Sequence, residues 1–297
     1  MKAERGFALI LVVWSLVLLA GMAAGFSMAV RHEARVAFDD LAELKAEAAK
    51  LAAVNQTLFA LNDTDLDTRW RADGRIHELA WDDMALRVRV RPESSKVDIN
   101  RAPPELLAGL FAAMLPDAPT DALVDALADW RDQDDRARTE GAEARDYAAA
   151  GYRYGPSNAP FQSVFELAQV IGFDNATVTA LAPYLTVFSR HPRVNAIGAD
   201  LLTLRAIPGI SESDVSQFIA QRDQAIAEGK NVELSPLRNG MRYLESNMND
   251  RVIAMDIEIQ LPNVPPISEQ LVLQRGRNRL YEILARDTRQ STSGSAL

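Results

Sequence analysis

The chain contains no cysteine, which excludes disulfides, thiolate zinc sites, iron–sulfur clusters and cysteine nucleophiles. Histidine is nearly as scarce. His32, His77 and His191 are far apart, and no His-x-x-x-His metal spacing or Gly-x-Ser-x-Gly nucleophile turn occurs. Each histidine therefore reads as a solvated or hydrogen-bonded residue. Basic residues are in deficit, 32 Lys and Arg against 41 Asp and Glu, for a net charge of −9. That balance argues against broad attraction to nucleic-acid phosphate or anionic lipid, while leaving room for a local positive patch. Without a nucleophile, an oxyanion motif or a phosphate loop, paired carboxylates alone do not make a glycosidase, and the chain is not expected to be an enzyme.

Charge of either sign is missing near the start. After Lys2, Glu4 and Arg5, the 25 residues from Gly6 to Val30 carry none. This run exceeds the apolar stretch of a secretory signal and is long enough to cross about 30 Å of hydrocarbon as a helix. Only loose small-residue cleavage patterns follow, at Ala23-Ala24-Gly25 and Ser27-Met28-Ala29, so the segment reads as a retained anchor. Beyond it Val30, Ala34, Ala37, Phe38, Leu41, Leu44, Ala48, Leu51, Val54, Leu58 and Leu61 recur every three or four residues, with charged residues between them. No Pro or Gly lies between Phe26 and Leu61. One helix of about 80 Å is predicted, half in lipid and half laid on a soluble domain by that apolar stripe.

The whole chain, with 48% hydrophobic and 25% charged residues, is ordinary for a folded protein. Arg75–Asp82 and Met84–Arg91 read as strands, the second alternating Leu86, Val88 and Val90 with Arg87, Arg89 and Arg91. Ile253–Gln260, Leu271–Gln274 and Leu280–Ala285 read as further strands, the last two joined by the turn-like Arg275-Gly276-Arg277-Asn278. Between the two sets, Pro103–Leu115, Thr120–Arg131, Ser163–Ile171, Asn175–Leu185, Ala199–Ala206 and Ser211–Glu228 have helical spacing. Val97-Asp98-Ile99-Asn100 and Val194-Asn195-Ala196-Ile197 form a weak internal echo, and Gly172 and Gly209 each join two helical segments. The fold class is α+β: a long N-terminal helix on an antiparallel sheet, interrupted by a large all-α insertion.

Basic residues, Gly6-Phe7, and an apolar helix continuing as an amphipathic one resemble the leader and anchor of type IV pilins and type II secretion pseudopilins. The resemblance implies that a prepilin peptidase cuts between Gly6 and Phe7 and methylates the new terminus, leaving the helix in place. Most family members carry glutamate at the fifth mature residue, where this chain has Leu11. A carboxylate in hydrocarbon costs about 2.5–3.5 kcal/mol on insertion scales and needs a compensating amine, which in pilins is that of the subunit above. A leucine subunit needs no neighbour above it, which implies a tip position. This departure and the helical insertion are similar to the minor pseudopilin family called protein K.

The resemblance implies six segments: a leader at 1–6, a transmembrane helix at 7–30, a pilin-like domain at 31–95 and 243–289, an inserted helical domain with helix-hairpin-helix or SAM-like elements at 96–242, and a disordered tail at 290–297. It implies the inner membrane and the periplasm as location. Implied partners are I- and J-type minor pseudopilins, the major pseudopilin, the prepilin peptidase, and secreted cargo or the outer-membrane secretin. The implied function is to start and cap a pseudopilus that exports folded proteins.

Two constellations complete the reading. Leu204–Ser211 resembles a helix-hairpin-helix, the basis of an alternative as a membrane-anchored DNA-binding protein of a competence-like system. However, Ser211 replaces the second glycine, and Glu212 and Asp214 stand where a phosphate would sit. Residues 96–242 also carry 14 basic against 20 acidic side chains, so no nucleic-acid partner is expected. The stretch Asp129–Arg136, with Glu140 and Glu143, is the densest carboxylate cluster. From the residues alone it is either a hard-oxygen site suited to Ca2+ or a solvated loop neutralised by Arg131, Arg136 and Arg138. Its Trp-x-Asp-x-Asp, Gly-Ala-Glu and Asn-x-Pro-Phe segments are similar to the protein K calcium loop, which implies Asp132, Asp134, Asp135, Glu140 and Glu143 as the metal residues.

Overall fold

The computed structural model describes residues 4–65, 67–82, 84–247, 250–260, 266–276 and 281–290, giving only the backbone for 4–8 and 288–290. Residues 1–3 of the expected leader, Arg277-Asn278 of the expected turn, and the tail beyond Gln290 lie outside the described residues.

Helix α1 runs unbroken through Glu4–Leu61, 58 residues. It stops where Asn62 folds back, its side-chain amide donating to the Leu58 carbonyl at 2.7 Å. Strands β1 (Ile76–Trp81) and β2 (Met84–Pro92) follow as a hairpin. The chain then leaves through β3 (Val97–Asp98), α2 (Pro104–Met114), α3 (Thr120–Arg131), α4 (Ala144–Ala149), a 3-10 helix at Val164–Gln169, and α5 (Asn175–Leu181) to β4 (Leu185–Thr186). It continues through β5 (Val194–Asn195), α6 (Leu201–Arg205), α7 (Glu212–Ala227) and a 3-10 helix at Ser235–Tyr243 to β6 (Leu244–Glu245). It returns through β7 (Val252–Gln260), β8 (Ile267–Arg275) and β9 (Tyr281–Gln290). The main sheet is antiparallel in the order β1-β2-β7-β8-β9.

The long helix, the sheet and the interposed helical region thus form as predicted, but the face α1 turns to the sheet differs. The sheet packs against Ala46, Ala49, Ala53, Val54, Leu58 and Leu61, an alanine-rich row that brings the helix close. The larger stripe, Phe38, Leu41, Leu44 and Leu51, is exposed, and Leu44 keeps 67% of its surface. Phe59, at 78%, extends the exposed row. Hydrophobicity and spacing alone gave these two rows one direction. Close packing chose the small residues, because alanines let helix and sheet approach.

On the sheet's far side the arginines of β2 meet acids of β7 in register: Arg89 opposes Asp256 and Arg87 opposes Glu258. Asp256 is buried there, accepting from Arg89 at 3.2 Å and Arg91 at 3.0 Å.

The helical region has its own core, separate from that of the sheet. It is built as two units, which explains the echo in the sequence. Val97-Asp98 pairs in parallel with Leu185-Thr186, and Val194-Asn195 pairs in parallel with Leu244-Glu245. In each unit a buried Asx side chain accepts from the amide two residues on: Asp98 from Asn100 at 2.9 Å, Asn195 from Ile197 at 3.2 Å. Each also contains a glycine joint with positive φ, Gly172 at 94° and Gly209 at 83°. The expected helix at Ser163–Ile171 is the tighter 3-10 form, begun by a Ser163–Glu166 capping box. Arg71 donates to the Gly229 carbonyl at 3.0 Å and Arg75 to that of Ile226, closing the carboxyl end of α7, which has no basic residue of its own there.

Candidate functional site

The carboxylate cluster grows out of the end of α3. Asp125, Asp129 and Asp132 are spaced four and three residues apart and share one side of its last turns. Trp130 lies in an aromatic group with Tyr147, Tyr154 and Phe161, its ring centroid 5.9 Å from that of Tyr147 and 6.3 Å from that of Phe161. This group anchors the end of α3, so the chain that follows must double back over the acids.

Asp129 is 0% exposed. It accepts from the Arg138 amide at 3.0 Å and from the Arg138 guanidinium. That guanidinium also donates to Asp132 Oδ2 at 2.6 Å. Gly141 closes the turn, and a Cβ there would overlap Asp129 Oδ2, so the residue must be glycine for the loop to pass so near. Glu143 begins α4 in a capping box with Asp146 and is 6% exposed, and among the described residues no cationic side chain meets its carboxylate; Asp132 Oδ1 is likewise shielded and unpartnered. Burial, then the charges of Asp129, Asp132, Asp135 and Asp134, push the Glu143 carboxyl above its ordinary pKa. The Arg138 pKa is raised as well, but there the rise keeps the group charged, first through its bond to Asp132.

The five expected metal residues therefore separate into two sets. Asp132 and Glu143 turn inward beside Asp129. Asp134, Asp135 and Glu140 are exposed: Asp134 caps the Arg136 amide at 3.0 Å, and the Glu140 amide donates to Asp125 at 3.1 Å. Among the described residues no group of three or more such ligands stands gathered for a metal ion. Even so, a buried carboxylate that no cationic side chain meets, facing like charges in an all-oxygen setting, is a place a hard cation fits. Asp129 and Arg138 were not among the expected site residues. The row Asp125, Asp129, Asp132 was the signal that could have found Asp129.

At the membrane end, Gly6 and Phe7 fall within the backbone of α1. Leu11 is 54% exposed on that helix, and its carbonyl accepts from Ser15 at 2.9 Å. From Leu9 onward the helix is apolar enough to cross a membrane, with a mean hydropathy of 2.4 over its most apolar window. In the helix-hairpin-helix, Ser211 and Asp214 bind each other's amides at 3.2 Å. Arg205 pairs with Glu212, and Gly240 and Gly109 press directly against the hairpin, so its loop is used for packing.

A long N-terminal helix on an antiparallel sheet, with a helical region interposed, defines the pilin-like α+β class. The fold matches a chain in the crystal structure of the GspK-GspI-GspJ complex from the type II secretion system of enterotoxigenic Escherichia coli, with a TM-score of 0.57 and 16% identity over 88% of this chain and 100% of that one. Residues 89–190, from β2 through the whole first unit, match the family model of type II secretion system protein K. Over that third of the chain it is similar to secretion pseudopilins of the protein K type, and the fold match agrees with that likeness. No curated protein matches it.

Proposed function

We propose that the chain is the tip subunit of a type II secretion pseudopilus, starting and capping its assembly for export of folded proteins across the outer membrane. The observation that carries this reading is the exposed row Phe38, Leu41, Leu44, Leu51 and Phe59 on the part of α1 that leaves the lipid. A contiguous apolar row beside a finished sheet core calls for neighbouring helices. The similar structure is a complex with GspI and GspJ, and I- and J-type minor pseudopilins are the neighbours proposed here, with the major pseudopilin below. Leu11 supports the top position, since it needs no amine from above, and the bulk of the helical region would obstruct a further subunit. The helix lies in the inner membrane before assembly, and the folded parts lie in the periplasm, where they meet cargo or the secretin. Family members of this kind are structural components, and no catalytic role is proposed.

Co-purification of the full chain with its I- and J-type partners tests the reading. Leu41→Glu with Leu51→Glu should abolish the complex while leaving the chain folded; an intact complex would refute the interface. Processing is tested by the intact mass of the membrane-extracted protein, which should begin at a methylated Phe7. An unprocessed Met1 chain in a host with active prepilin peptidase would rule out the leader.

For the carboxylate loop the proposed ligand is Ca2+, held by Asp132 and Glu143, with Asp134, Asp135 and Glu140 available as the loop closes. When bound it would supply the positive charge that Glu143 lacks. A chelator should lower the melting temperature, and Glu143→Gln should remove the difference.

A further inference from the structure

In a domain with a net charge of −6, one groove collects cations. It has a volume of about 570 Å3, within the usual range of ligand clefts, and Arg101, Arg131, Arg190, Phe161, Phe188 and Leu284 are among its lining residues. The acids that share it are already engaged. Asp98, buried, accepts from Asn100, from Ser189 Oγ at 2.9 Å and from the Arg190 amide at 2.7 Å, and Asp132 gives Oδ2 to Arg138 while its Oδ1 is shielded from solvent. Among the described residues the guanidinium groups of Arg101 and Arg190 have neither a hydrogen bond nor an ion-pair partner. Burial, then the charges of Arg138 and Arg101, hold Arg131 below the ordinary arginine pKa against the pull of Asp98 and Asp132.

The backbone adds a second, independent sign. Arg190 has φ 60°, a left-handed conformation uncommon for a residue with a side chain, and its amide is pinned there by Asp98. Strain of this kind persists where the surroundings over-determine it, and it clusters at binding sites. The result is an exposed guanidinium set at the rim of a groove that has aromatic walls.

We propose that this groove docks an acidic peptide segment of a partner protein, with a carboxylate meeting Arg101 and Arg190 and an adjoining apolar side chain resting on Phe161, Phe188 and Leu284. Arginine suits a carboxylate because its donors form a rigid fork. A nucleic acid fits less well: Asp134, Asp135 and Glu140 line the nearby loop and would repel an extended polyanion, whereas a single carboxylate beside an apolar group uses both the charge and the walls. The proposal is independent of the tip reading, because binding can be measured on the chain without other subunits.

The test uses the full chain in detergent micelles and a fluorescein-labelled synthetic peptide alternating Glu with Leu and Phe, read by anisotropy. Its Gln counterpart should bind about tenfold more weakly, and Arg101→Gln with Arg190→Asn should weaken the Glu peptide by about tenfold without changing the melting temperature. Asparagine is chosen because it tolerates the left-handed backbone. If the double variant does not fold, Arg101→Gln alone decides, since that exposed side chain has no bond to lose. Absence of saturable binding, equal affinity for the Gln peptide, or indifference to the substitutions overturns the proposal. So does displacement of the peptide by short duplex DNA at equal charge, which would make the groove a phosphate site.

Discussion

The segments Val97–Thr186 and Val194–Glu245 each open on a buried Asx residue, turn at a left-handed glycine and close on a two-residue parallel bridge, yet only the first carries the acidic loop between its helices. The second unit needs nothing further: α6, the hairpin and α7 pack onto one another, and a capping box fixes the start of α7. In the first, the frame must also hold some thirty residues between α3 and the 3-10 helix, anchored by rings and by Arg138 astride two acids. The comparison teaches that the frame supplies stability, whereas the added loop draws on it. A carboxyl side chain at Asp98 in the loaded unit, against an amide at Asn195 in the bare one, follows the same division.

The largest effect should come from that pair. Asp98→Ala removes a buried carboxylate that accepts from Asn100, Ser189 and Arg190, leaving three donors unmet, and should cost about 3–5 kcal/mol. Asn195→Ala breaks the bond to the Asn247 carbonyl at 2.6 Å and the weaker one from Ile197, and should cost about 1–2 kcal/mol. Urea unfolding midpoints measure both. Equal losses would mean that the two frames carry the same load and that the comparison fails.

Glycines offer the next test. In the loaded unit Gly141→Ala drives a methyl into Asp129 and should cost about 2–4 kcal/mol. Beyond α7 in the other, Gly229 has φ 69° with nothing within 4 Å of a Cβ, so Gly229→Ala should cost only the backbone strain, about 1 kcal/mol. The first should also weaken any response to calcium, and the second should not.

Much of this frame was legible in the sequence, and the reasons it was not wholly so are specific. Period-two alternation marked β2 because Arg87, Arg89 and Arg91 face acids across the sheet while Leu86, Val88 and Val90 face α1. The echo of Val97 and Val194 marked both units, but two-residue bridges have no period, so Leu185 and Leu244 could not be named as partners. On α1 the spacing showed a helix without showing its inward face, because alanine offers less apolar surface than leucine or phenylalanine and wins by fit. The acidic loop was visible as composition. That Glu143 would be buried while Glu140 remained in water depended on the tertiary path set by Trp130 and Gly141.

A chelator sharpens the comparison through local opening. With calcium at about a hundred times its dissociation constant, removal should cost about 2.7 kcal/mol. Amides of α4, next to Glu143, should then exchange much faster, while those of α7 keep their protection until the whole chain unfolds. Faster exchange in both units alike would place the effect in global stability and not in the loop.

The smallest expected effect is one in which the units should agree. Asp174 caps α5 in the first, accepting from the Thr177 amide at 2.7 Å, and Asp214 belongs to the capping box of α7 in the second, accepting from Ser211 Oγ at 2.7 Å. The backbone bond from Thr177 holds the Asp174 carboxyl below the ordinary range, and the Ser211 hydroxyl does the same for Asp214. Because the folded pKa lies below the unfolded one, each contribution is complete above about pH 4 and is lost as pH falls through the folded value. Asp174 is exposed and Asp214 partly so, and the change in melting temperature should be slight. Asp174→Asn and Asp214→Asn keep a capping oxygen and remove the titration, and each should flatten the acid limb of the melting profile by the same small amount. A clearly larger change for Asp174 would show that the loaded unit relies on its caps as well as on its buried frame, and that the loop's demand reaches as far as α5.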